Sequence, residues 1–145
     1  MHFVKQWRYF LNFINQHGEH RVRGDLQTSL QRHSFRYGKL FETWIIQEII
    51  RLNDYQESGY KLYYWRTNTN LEVDLILSKG AEHRPLAIEI KSDSAPQLSD
   101  LHGLQSFASE NPSAKLYCFC QTPRAYKLDK IQVVPWKEGL QSIFK

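Results

Sequence analysis

At 145 residues the chain is long enough for one domain burying about 68–70% of its unfolded surface. Its 39 Leu, Ile, Val and Phe residues lift it above the composition at which disorder is the default. Only 12 residues are Gly or Pro, two are Cys, no run approaches the ~18 apolar residues of a membrane span and no signal peptide opens the sequence. These counts exclude collagenous, disulfide-scaffold and membrane-spanning classes and lead to the expectation of a soluble, cytoplasmic globular protein. The net charge of +4 is uneven: residues 1–40 hold seven Lys or Arg against two acids, and the remainder is nearly neutral. Such a basic quarter can attract phosphate backbones or simply stand in solvent.

Phe3, Trp7, Phe10, Leu11 and Ile14 recur at helical spacing, predicting an amphipathic helix over 3–16 that ends at Gly18, followed by a polar connector over 18–34. Tyr37 to Leu52 is apolar on nearly every side and is expected to be a buried helix. From residue 60 the character turns to strand. Segments 60–66, 71–77 and 86–91 read as a three-strand meander, with turn chemistry at Asn68-Thr69-Asn70 and Lys79-Gly80. Ser94 with Gln97 three residues on has a capping-box pattern, and Leu98, Leu101, Leu104 and Ala108 follow at helical spacing until Asn111-Pro112. Strands over 115–120 and 131–134 and a short helix opened by Pro135 complete an α/β domain.

Alternation places Glu72, Asp74 and Ile76 on one face of the second strand, and Ala87, Glu89 and Lys91 on one face of the third. Pairing across the 79–84 turn sets Asp74 roughly opposite Glu89, so two carboxylates and an ammonium converge. Close carboxylates repel at neutral pH, and a hard dication such as Mg²⁺ removes that repulsion through oxygen ligands. A metal beside an ammonium can hold a phosphodiester and stabilise the charge that develops on it. On the long helix, Glu42 and Glu48 both sit among apolar residues, and the helical wheel does not choose between them. Gly38, one turn before Glu42, leaves room for an approaching group.

Asp74 followed by Glu89-Ile90-Lys91 resembles the Asp…Glu-x-Lys signature of the PD-(D/E)XK nuclease superfamily. The order helix, three strands, helix, strand over residues 37–120 is similar to that superfamily's restriction-endonuclease-like core (α-β-β-β-α-β), a mixed central sheet flanked by helices. More narrowly, Gly38-Lys39-Leu40-Phe41-Glu42, Tyr64-Trp65-Arg66-Thr67, Glu72-Val73-Asp74 and Glu89-Ile90-Lys91 resemble the nuclease-like domain of unknown function found C-terminal to many prokaryotic AAA+ ATPases. The resemblance covers residues 36 to about 134. It implies a nuclease-like domain over 36–145, with the N-terminal helix and basic connector read from spacing and composition over 1–35 lying before it. It implies Asp74, Glu89 and the backbone carbonyl of Ile90 as ligands of Mg²⁺, with Mn²⁺ as a substitute. Lys91 would orient or activate the attacking water and stabilise the transition state. Glu42, preferred to Glu48, would be the helix-borne acid supporting the metal site. No Gly-x-x-x-x-Gly-Lys-Ser/Thr phosphate loop occurs in the chain, so the expectation is a stand-alone, truncated or excised domain to which no ATP-linked function is assigned, and an AAA+ ATPase domain absent from the chain is one partner it could have.

Cys118 and Cys120 share a strand face without a second ligand pair and are expected to be buried core thiols. His17 and His20 flank a glycine break and read as a solvated turn. Trp65 and Arg66 could grip nucleic acid or close the sheet edge, and both readings stand at this point. The expected function is Mg²⁺-dependent hydrolysis of phosphodiester bonds in DNA, with water rather than a Ser, Cys or His side chain as nucleophile. The alternative is a catalytically silent module of an AAA+ ATPase system that binds nucleic acid or protein. The basic arm could also contact a second copy of the chain.

Overall fold

The computed structural model describes residues 35–145. The amphipathic stretch 3–16, His17, His20 and the connector 18–34 lie outside the described residues. Among those described, no helix is long and apolar enough to cross a membrane. The elements are α1 (Phe35–Tyr55), β1 (Lys61–Arg66), β2 (Glu72–Ser78), β3 (Leu86–Ile90), a 3₁₀ turn (Leu98–Asp100), α2 (His102–Glu110), β4 (Lys115–Cys120), β5 (Tyr126–Leu128), β6 (Ile131–Pro135) and α3 (Trp136–Ile143).

The strands form one mixed sheet in the order β1-β2-β3-β4-β6-β5. β1, β2 and β3 run antiparallel through short turns, helped by Asn70 and Gly80 at positive φ. β3–β4 and β4–β6 are parallel, and α2 supplies the crossover that the first of these pairs requires. β5 returns antiparallel on β6. Alternation along the strands divides the core in two. Leu75, Leu77, Ile88, Ile90 and Phe119 pack under α1 and α3 through Phe41, Ile45, Ile49 and Leu140. Ile76, Ala87, Leu116, Cys118 and Val133 pack under α2 through Leu101, Leu104 and Phe107. The result is a three-layer α/β arrangement.

Three expectations are corrected. The long helix is not buried all round: Phe41, Ile45, Ile46 and Ile49 face the sheet, while Leu40 and Trp44 are exposed. An outer-layer helix can present only one stripe to the sheet beneath it. The helix expected to start at Ser94 starts at His102. Asp100 accepts the Gln97 N–H at 2.8 Å and closes a separate 3₁₀ turn first, so the capping pattern is satisfied one turn later than Ser94 implied. Lastly, strict alternation along β2 fails at Val73, which packs with Ile76 instead of Leu75. Tyr63 pairs with Ile76 and Trp65 with Val73, so the single residue Tyr64 faces both Asp74 and Leu75. This is a β-bulge centred on Asp74, a device that re-aims side chains.

Candidate functional site

β1, β3, β4 and β6 all end, and β2 begins, at one end of the sheet, so the residues singled out by sequence are gathered there by topology. Recorded pairing of β2 with β3 covers Leu75–Leu77 against Leu86–Ile88, and continuing that register puts Asp74 across from Glu89. Past the last paired residues the strands no longer exchange backbone hydrogen bonds in the ordinary way. The Asp74 carboxylate takes over, accepting the Ile90 N–H at 2.7 Å. The bulge supplies the carboxylate that completes the neighbouring strand's end.

Glu89 is the buried charged residue of the described core, at 6% exposure. Its Oε1 accepts from Lys91 Nζ at 2.9 Å. Its Oε2 is buried and finds no hydrogen-bond donor among the described residues. A buried carboxylate oxygen without a partner costs about 1–3 kcal/mol or more. Burial, then the charges of Glu89 and Glu42, hold the Asp74 carboxyl well above the usual carboxylate range, against the Ile90 N–H and Lys91. Burial also raises the Glu89 carboxyl, which Lys91 only partly offsets. For Lys91 burial opposes the charge, but Glu89 and Asp74 outweigh it, and the ammonium keeps its proton above the ordinary lysine range.

α1 crosses this end of the sheet near its N-terminus. A Cβ on Gly38 would stand 3.5 Å from Ser92 Oγ, so the chain just beyond Lys91 passes beside the first turns of the helix. Gln121, which follows β4, donates to the Tyr37 hydroxyl at 3.0 Å. Glu42, one turn on, acts electrostatically on both Asp74 and Glu89. Glu48 lies further along the helix and pairs with Arg51.

Two further residues belong to this cluster. Lys39 pairs with Glu42 at 2.9 Å, and Glu72 acts on both Glu89 and Lys39. Both were visible in the sequence, Lys39 at three residues from Glu42 and Glu72 at two from Asp74, but neither spacing distinguishes a site residue from a solvated charge. The cluster therefore holds four carboxylates against two ammonium groups. Among the described residues no group of three or more His, Cys, Asp or Glu side chains is drawn together tightly enough to cage a metal ion. The donors that do converge are hard oxygens, one of them vacant, and this suits a cation such as Mg²⁺, which keeps several waters and takes one or two protein carboxylates.

Trp65 is buried edge-on against Phe107, with centroids 5.6 Å apart, and Arg66 donates to Asn70 at 2.7 Å. Trp65 is thus a core residue rather than a stacking platform. Cys118 and Cys120 are buried free thiols, as expected. Between α1 and the start of α3, Trp44 meets Trp136 at 4.8 Å, beside a cavity of about 370 Å³ lined by Tyr37, Leu40, Phe41, Trp44, Gln121 and Trp136.

No curated protein and no solved structure matches this chain. A family does match, over residues 37–139, a stretch that contains the four motifs and the whole of the carboxylate cluster. The chain belongs to that family, a domain of unknown function (DUF4143).

Proposed function

We propose that this domain is a Mg²⁺-dependent nuclease of the PD-(D/E)XK kind, built on a restriction-endonuclease-like core, that hydrolyses phosphodiester bonds in DNA in the cytoplasm. Asp74, Glu89 and the Ile90 carbonyl would hold the cation, with Glu42 supporting the site from α1. Mn²⁺ would substitute for Mg²⁺. When bound, the dication supplies positive charge against the phosphate and lowers the pKa of water. The chain's own groups do the rest. Asp74 is held at the mouth of the β2–β3 gap by the Ile90 N–H. Glu89 anchors Lys91, so the ammonium stands at a fixed place at the edge of the cluster. From there it can donate to a non-bridging phosphate oxygen and stabilise the charge that builds up in the transition state. Its raised pKa keeps it a proton donor at neutral pH, which suits charge stabilisation rather than proton abstraction.

The observation that carries this reading is the buried Glu89 Oε2, without a hydrogen-bond donor among the described residues, beside a second carboxylate whose proton affinity is raised. A purely structural ion pair has no use for a vacant buried oxygen. Mn²⁺ is expected to raise the melting temperature, with Asp74→Asn abolishing the rise. Purified protein with Mg²⁺ or Mn²⁺ should cut DNA. If no nucleic acid is cut and Mn²⁺ leaves the melting temperature unchanged, the nuclease reading falls.

The second reading, a catalytically silent module that binds nucleic acid or an AAA+ ATPase domain, draws on the exposed Trp44 and Leu40 beside the Trp136 cavity. Aromatic surface of this kind suits a macromolecular partner. DNA binding without cleavage, unaffected by Asp74→Asn, is its expected signature.

A further inference from the structure

We propose that the cavity beside Trp44 and Trp136 takes an unpaired base of the DNA strand whose phosphodiester lies at the carboxylate cluster, so that a single strand or a frayed end is preferred to an intact duplex. The inference rests on the nuclease reading for the neighbouring phosphodiester, and on the following geometry for the cavity itself.

The backbone ties the cavity to the cluster. Past Glu89, the chain leaving β3 stays bonded to β4 and its continuation: the Lys91 N–H donates to the Phe119 carbonyl at 2.9 Å, and the Gln121 N–H donates to the Asp93 carbonyl at 3.0 Å. Gln121, in the cavity wall, is therefore bonded to a residue two positions beyond Lys91. Two residues span at most about 7 Å of chain, the rise of about two stacked nucleotides. From the other side, a Cβ on Gly38 would stand 3.5 Å from Ser92 Oγ, so the turn of α1 that carries Tyr37 and Leu40 into the wall runs beside the same segment. A strand with one phosphodiester at the cluster has the cavity within reach of an adjacent nucleotide.

The wall has the chemistry of a base site. At about 370 Å³ the cavity is within the range of small-ligand pockets. Trp44 and Trp136 meet edge to face, and Lys137 Nζ stands 5.3 Å over the Trp136 ring, while Trp44 remains 42% exposed. Trp44 is thus the ring left with surface for a planar partner, and every base has a face that stacks on indole. Gln121 Nε2 donates to the Tyr37 hydroxyl at 3.0 Å. That bond engages one amide N–H and leaves the carbonyl and the second N–H, an acceptor beside a donor, which is the pattern that matches a base edge. An apolar side chain in the same place would leave the amide unanswered. Inside a duplex, stacking covers the faces of a base and its partner covers the pairing edge, so the base must leave the stack to meet Trp44 and Gln121 together. Lys39 and Lys137, beside Leu40 and Trp136 in sequence, are exposed and can meet the flanking phosphates.

The test uses the full chain and three labelled probes of one length: an unpaired strand of deoxyadenosine, the same strand with its complement, and an abasic strand that keeps every phosphate. Binding is read by fluorescence anisotropy, in EDTA and in Ca²⁺. The wild type is expected to bind the unpaired strand about five- to a hundredfold more tightly than the abasic strand, and more tightly than the duplex, in both buffers. Trp44→Ala should abolish that ratio and leave the abasic affinity unchanged, Trp44→Phe should keep most of it, and Gln121→Ala should lower it a few-fold. Tyr55→Ala removes an exposed aromatic outside the cavity and should leave the ratio as it is. A wild-type ratio near one, tighter binding of the duplex, a ratio that survives Trp44→Ala, an equal loss in Tyr55→Ala, or no binding of any strand overturns the proposal. The ratio needs no cleavage. A protein that shows it yet cuts nothing overturns the nuclease reading alone, and one that cuts DNA with a ratio near one overturns the base site alone.

Discussion

Two buried polar side chains, Asn53 and Glu89, lie in opposite halves of the logic of this fold. Asn53, near the end of α1, is fully satisfied: its Nδ2 donates to the Tyr60 carbonyl and its Oδ1 accepts the Tyr60 N–H, each at 3.0 Å. It clamps the start of β1 to the helix and leaves nothing over. Glu89 is buried to a similar degree but has one oxygen engaged and one without a donor among the described residues. The same physical cost of burying a polar atom is met by the protein in one case and left open in the other. Where it is met, the residue explains the architecture. Where it is open, beside a bulged Asp74 and under Glu42, the residue explains a site.

The comparison can be broken first at the site. Asp74→Ala and Lys91→Ala are each expected to lower DNA cleavage about a hundred- to a thousandfold while the protein stays folded, as read by initial rates and circular dichroism. If either variant cuts as well as the wild type, the cluster is not the catalytic centre. Next comes Asn53→Ala. It orphans the Tyr60 N–H and carbonyl and should cost about 1–3 kcal/mol in urea unfolding, with Mn²⁺ binding unchanged. A loss of metal binding there would erase the distinction between the two regions.

The smallest effect is in pH. Unfolded Asp and Glu ionise near about 4, whereas folded Asp74 and Glu89 hold their protons to higher pH. Between those values the native state binds more protons than the unfolded one, so the stability of the metal-free protein falls as pH rises through that window. Asp74→Asn removes one of the two groups responsible. It should flatten that slope and leave the metal-free variant more stable than wild type at neutral pH, measured by thermal melts across pH. A slope as steep as in the wild type would mean that Asp74 does not carry the raised proton affinity.

Much of this was legible in order of residues. The helix expected over 37–52 runs from Phe35 to Tyr55, and the strands expected over 60–66, 71–77, 86–91, 115–120 and 131–134 lie within a residue of those formed. Hydrophobic period and turn residues are local signals, and they survive into the fold because each element buries its own stripe. β5 was not foreseen, since Tyr126–Leu128 is too short for a period and exists by pairing with β6. The start of α2 differs from the Ser94 expectation because Gln97 and Asp100 close a separate 3₁₀ turn first, a pairing that the Ser94–Gln97 spacing does not reveal.

For the site, strand alternation gathers Asp74, Glu89 and Lys91 and leaves Glu42 and Glu48 as equal candidates, while Ile90 and the preference for Glu42 are what the family resemblance implies. The chain order alone also determined which elements would follow which. Three things belonged to the tertiary structure. The bulge at Asp74, the charge of Glu42 acting on Asp74 and Glu89, and the burial of Glu89 Oε2 with no donor among the described residues each depend on how one element meets another. Periodicity within a segment carries no record of the register between strands or of the angle at which a helix crosses them, and charge–charge distances are set by both.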